Sequence, residues 1–64
     1  MIDTDETGTR KLKELIDMRY KHPKDFNGWE FDFIGNLRTA KYEWLTNNQK
    51  SAIGRVYDNV VLKR

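Results

Sequence analysis

Apolar positions recur every three to four residues in three stretches of this chain. In the first, Leu12, Leu15, Ile16 and Tyr20 share a helical face with Arg19, while Arg10/Glu14, Lys13/Asp17 and Asp17/Lys21 stand four apart on the opposite side. This predicts a helix starting near Thr7 or Thr9. It ends before Pro23, which biases His22 away from helical dihedrals. In the second stretch, Trp29, Phe33, Leu37, Ala40 and Trp44 gather on one arc, with Ile34 and Leu45 on its shoulder. In the third, Ile53, Val56, Tyr57, Val60 and Val61 follow the i, i+3, i+4, i+7, i+8 pattern of an amphipathic helix.

The starts of the second and third stretches carry capping signatures. Asn27 stands at an N-cap facing Glu30 at N3, and Phe26 just outside faces Phe31 at N4, so a capping box and a hydrophobic staple coincide. Thr46 and Gln49 repeat the box before the third stretch. Gly35 and Gly54 lie inside the second and third helices, where glycine costs about 1 kcal/mol relative to alanine and is tolerated best beside another backbone. Alternatively, Gly35-Asn36 breaks the second helix into two shorter pieces. With short connectors, no strand alternation and no repeat, the pattern predicts an all-α fold, a compact bundle of three to four short helices. The second helix should be its spine, with the β-branched ridge of the third packed on its aromatic arc. Residues 1–8 are acidic and nearly devoid of apolar groups, which predicts a flexible lead-in to a single helical-bundle domain over residues 9–64.

At 64 residues the chain is near the lower size for one self-sufficient core. It has no cysteine, so neither a disulfide nor a thiolate zinc site supplements that core, and a reducing, cytoplasmic setting is expected. No apolar run approaches a membrane span. The formal net charge is +2, but Asp3, Asp5 and Glu6 cluster at the N-terminus, and from Thr7 onward 12 basic and 7 acidic residues leave +5. Positive charge of that size suits a polyanionic partner as well as solubility.

Groups for catalysis are scarce, and no enzyme activity, cofactor or metal is expected. The single histidine, His22, precedes a proline in a basic connector, and Glu30 and Asp32 are two apart on a helix and point in different directions. Metal-binding helical spacings such as Glu-x-x-His are missing, and the acidic start Asp3-Thr4-Asp5-Glu6, which only superficially resembles the start of a calcium loop, is not read as a site.

The run Arg19 to Lys24 concentrates cations and an aromatic at a helix end, where they also complement the helix dipole. Arg19, Lys21 and Lys24, with Lys41, are therefore the candidate contacts to single-stranded or branched DNA; Arg38 and Lys50 could extend the patch. Trp29 and Trp44 read as core because they share an arc with Phe33 and Leu37; the alternative is that they are stacking platforms for bases. Met18, Phe31 and Tyr42 fall off the main apolar faces and are candidate contacts for a protein partner, with Leu62 beside them in that reading. A monomer is expected.

The string His22-Pro23-x-x-Phe26-Asn27-Gly28-Trp29-Glu30-Phe31, then Trp44-Leu45-Thr46-x-x-Gln49-Lys50 and Ile53-x-x-Val56-Tyr57, resembles small helical proteins of tailed phages. In particular it resembles the companion proteins encoded beside the UvsW recombination helicase of T-even phages. The resemblance spans residues 11 to 61. It implies a bundle similar to the HRDC module of RecQ-type helicases and a helicase-associated role in phage recombination or replication, with structured nucleic acid and a helicase as the partners to expect. It transfers no site residue. The other functional expectation is a protein-interaction module or inhibitor that docks on a phage or host enzyme.

Overall fold

Thr4 caps the first helix, α1 (Asp5–Lys21), its side chain accepting from the Thr7 N–H at 3.2 Å. The computed structural model describes residues 4–62 and is all-α, with no strand among them. Asp5 and Glu6 fill the first turn of α1 and Arg19 and Lys21 the last, the distribution that a helix dipole favours. The helix begins earlier than its apolar period implies, so residues 5–8 of the expected lead-in are helical; Met1 to Asp3 lie outside the described residues. At the other end the His22 N–H closes on the Met18 carbonyl at 2.6 Å, and Pro23 opens a 3₁₀ turn (Pro23–Asp25).

Both capping boxes form. Helix α2 (Gly28–Asn36) starts with the Glu30 N–H on Asn27 Oδ1 at 2.8 Å and the Asn27 N–H on Glu30 Oε1 at 3.1 Å. Helix α3 (Asn47–Tyr57) starts with the reciprocal pair of Thr46 and Gln49 at 3.2 and 3.0 Å. It runs into a wider π turn (Asp58–Leu62) that keeps Val60 buried and leaves Leu62 exposed.

The second helix does not continue to Trp44. It stops at Asn36, and after a turn through residues 37–40 the chain extends at Lys41 and enters a second 3₁₀ turn, Tyr42–Trp44. The break near Gly35-Asn36 is thus real, but it leads into a single tight turn rather than a fourth α-helix. The helical phase counted from Trp29 is lost there. Tyr42 turns inward and is 1% exposed, whereas Trp44 is 76% exposed. Trp29, on the expected core arc, is 56% exposed, and Tyr20 projects almost fully into solvent. Tyr42 enters the core in their stead and packs with the expected Ile34 and Leu37 and with Leu12, Leu15, Phe26, Ile53, Val56 and Val60 in one cluster.

The spine is α1, not α2. Helix α1 packs against α3, α2 and both 3₁₀ turns, so the β-branched ridge of α3 meets α1 chiefly, rather than an aromatic arc on α2. Two small residues explain the choice. Gly8 leaves a flat spot on α1 against which the Tyr42 ring lies; a Cβ there would fall inside the ring. Gly35 leaves room on α2 for the guanidinium of Arg19, whose Nη2 would stand 2.7 Å from an added Cβ.

Candidate functional site

The turn after α2 lies alongside the middle of α1 and encloses a groove of about 400 Å³. Leu12 and Ile16 of α1, with Ala40, give it an apolar floor; Lys13 from α1 and Arg38, Lys41 and Glu43 from the turn form an exposed rim. Local backbone bonds fix the rim. Leu37 is buried and accepts the Ala40 N–H at 3.0 Å, and the Trp44 and Leu45 N–H groups close on Lys41 and Tyr42 at 3.0 Å each. With Tyr42 buried, Lys41 and Glu43 on either side of it are held at the surface. The Lys41 ammonium lies 4.9 Å from the centre of the exposed Trp44 ring, so the indole, which does not itself line the groove, is joined to its rim through Lys41. Three cations therefore face one carboxylate across an apolar floor, an arrangement suited to an anionic ligand with some apolar surface.

The four expected nucleic-acid contacts separate. Lys41 joins the groove, with Lys13 and Arg38 as partners. Arg19 does not line the groove: its Nε–H donates to the Phe31 carbonyl at 2.9 Å, and its guanidinium carbon sits 3.8 Å from the centre of the Phe31 ring. It clamps α1 to α2, with its charge engaged by a carbonyl and a ring face. Lys21 is exposed and pairs with Asp17 at 3.3 Å, Lys24 is exposed in the connector, and neither lines the groove. Lys50 does not extend the patch either. Its ammonium is 3.5 Å from Asp5 Oδ1 and 5.3 Å from the Tyr42 ring centre.

Of the expected protein-contact residues, Tyr42 is corrected: it is core, because α2 ends before reaching it. Met18 and Phe31 are half-buried and pack against the core cluster, with Phe31 beneath Arg19. Lys13 and Glu43 carry no sequence signal of a place in the groove. Lys13 reads as one of several charges on a solvated face, and only the break at Gly35-Asn36 hints that residues 38–44 fold back onto that face.

A second depression, about 150 Å³, lies between the start of α2 and the end of α3, with Trp29, Arg55 and Asn59 at its edge. Trp29 leans on Phe33 there, ring centres 5.3 Å apart. Between α1 and α3, the Tyr57 hydroxyl hydrogen-bonds to Glu14, and this bond, followed by desolvation and the carboxylate's charge, raises the phenol above its ordinary pKa. Lys11 lies over the same ring at 5.0 Å. Among the described residues no three histidine, aspartate or glutamate side chains converge as metal ligands would, and no helix is long and apolar enough to cross a membrane. Comparison with protein-family models, curated proteins and solved structures finds no match to this chain.

Proposed function

We propose that this chain is a non-enzymatic helical module that binds single-stranded or branched nucleic acid weakly through the groove of Lys13, Arg38 and Lys41, and so assists nucleic-acid machinery such as a helicase. The observation that carries the reading is the convergence of three cations from two distant segments on one apolar-floored groove. Each cation neutralises a phosphate and releases counterions, while the floor accepts sugar or base edges. The excess of positive charge from Thr7 onward supports the reading, as does the resemblance to companion proteins of a phage recombination helicase.

The test is a titration with single-stranded and forked oligonucleotides at two salt concentrations, followed by backbone amide NMR. Shifts should centre on residues 12–16 and 38–44 and weaken with salt. The combined substitution Lys13→Ala, Arg38→Ala, Lys41→Ala should leave the fold intact, since all three side chains are exposed, and lower the slope of log affinity against log salt by about 2, at roughly 0.7 per phosphate contact. Lys21→Ala with Lys24→Ala should change affinity far less. Undiminished binding by the triple variant would overturn the reading. A second reading, docking on a phage or host enzyme, is favoured by the half-exposed Trp29 and would be marked by silence of the amides toward every oligonucleotide.

A further inference from the structure

The Trp44 indole is the feature the groove alone does not explain. The side chain is 76% exposed, yet its backbone is held firmly: Tyr42, two residues earlier in the same 3₁₀ turn, is sealed in the core, and the Trp44 and Leu45 N–H groups are both bonded within the turn. A large flat apolar group is thus held out in water on a rigid mount. The fold has a buried aromatic one turn-step away and does not use this one. Such a mount suits stacking, because little backbone freedom is lost when a flat partner arrives.

Resting on the nucleic-acid reading, we infer that the groove takes a single strand and not a duplex, with one unpaired base stacked on Trp44 and the flanking phosphates held by Lys13, Arg38 and Lys41. An unpaired nucleotide offers a base face to the indole, whereas inside a duplex both faces are covered by neighbouring pairs.

Beyond Thr9 and Lys13 the groove continues into a more open depression lined also by Asp5, Glu6, Arg10 and Glu43, where Arg10 pairs with Glu6 and Lys50 with Asp5. In the free protein the Lys41 ammonium rests near the indole at 4.9 Å. On binding, it is already placed to move to the phosphate next to the stacked base. An acidic peptide would satisfy the same cations but offers no flat face to the indole.

The chain has two tryptophans, so Trp29→Phe leaves Trp44 as the sole reporter. That variant is titrated at low salt with a short oligothymidylate, the same oligonucleotide with abasic residues, a long double-stranded DNA whose end pairs are few, and oligoglutamate. Stacking predicts quenching of Trp44 by oligothymidylate, loss of most of that quenching with the abasic strand, and at least about tenfold weaker binding of the duplex. Trp44→Ala should weaken oligothymidylate binding about tenfold and leave duplex binding unchanged. Equal binding of strand and duplex, insensitive to Trp44→Ala but abolished by the triple cation variant, would overturn the stacking inference and leave the phosphate-binding groove standing. Binding of no nucleic acid would remove both, and quenching by oligoglutamate in place of oligothymidylate would assign the surface to an acidic protein partner instead.

Discussion

Two glycines and the residues that meet them decide more of this structure than any pair of charges. Gly8 looks like the end of an acidic leader in the sequence, yet it is buried, and the Tyr42 ring lies where its Cβ would be. Replacing it with alanine sets two effects against each other. Helix propensity favours alanine by about 1 kcal/mol, whereas forcing a methyl into a packed ring costs about 1–3 kcal/mol and more where neither partner can move. Tyr42 is enclosed on its remaining sides, so the second effect wins. Gly8→Ala should lower the stability measured by urea denaturation by about 2 kcal/mol, and an unchanged or higher midpoint would mean that Tyr42 is not seated against α1. Arg19 is governed by its neighbours in the same way. By composition it belongs to a basic run, but Gly35 opposite lets its guanidinium lie on Phe31 and donate to the backbone of α2. Nothing in the local sequence separates a clamping arginine from a phosphate-binding one, because the difference lies in what stands across the interface.

At the scale of elements, the two capping-box starts were legible, whereas the start of α1 at Asp5 and the end of α2 were not. Capping boxes are local: a side chain and a backbone N–H three residues apart decide them, so Asn27/Glu30 and Thr46/Gln49 could be read directly and are formed. The end of α2 has no comparable mark. Gly35 does not adopt a positive φ, and Leu37 closes the helix with a 3₁₀-type bond to Ile34 at 3.1 Å. The helix stops there because burying Leu37 and then Tyr42 against α1 requires the chain to turn. That is a tertiary demand, and it also creates the groove, since Arg38 and Lys41 reach the rim only once the helix has ended. The two boxes should differ in strength. Asn27 caps beside Glu30, which is buried, whereas the Thr46 box is exposed. Asn27→Ala should therefore cost about 1 kcal/mol or somewhat more, and Thr46→Ala less, both as shifts in the urea midpoint at unchanged slope. The reverse order would indicate that burial of Glu30 does not depend on its cap.

For the molecule as a whole, the all-α class follows from periodicity, but the identity of the central helix does not. An apolar stripe says that a helix is covered, not by which neighbour, and the aromatic richness of the second stretch suggests a spine that α1 provides instead. The α1–α3 contact can be tested through pH. In the folded protein the Tyr57 phenol of α3 donates to the Glu14 carboxylate of α1, and that bond, with desolvation and the nearby negative charge, raises its pKa above the ordinary 10.0. The folded state therefore holds the Tyr57 proton to higher pH than the unfolded chain does. The associated stability is fully present below about pH 10 and is lost as pH rises from there through the folded-state value, because the unfolded chain then binds fewer protons. Thermal melts at about pH 8 and about pH 10.5 should show a fall in midpoint, part of which disappears in Tyr57→Phe because a phenylalanine has no proton to lose. An identical alkaline fall in the two proteins would mean that Glu14 does not hold Tyr57.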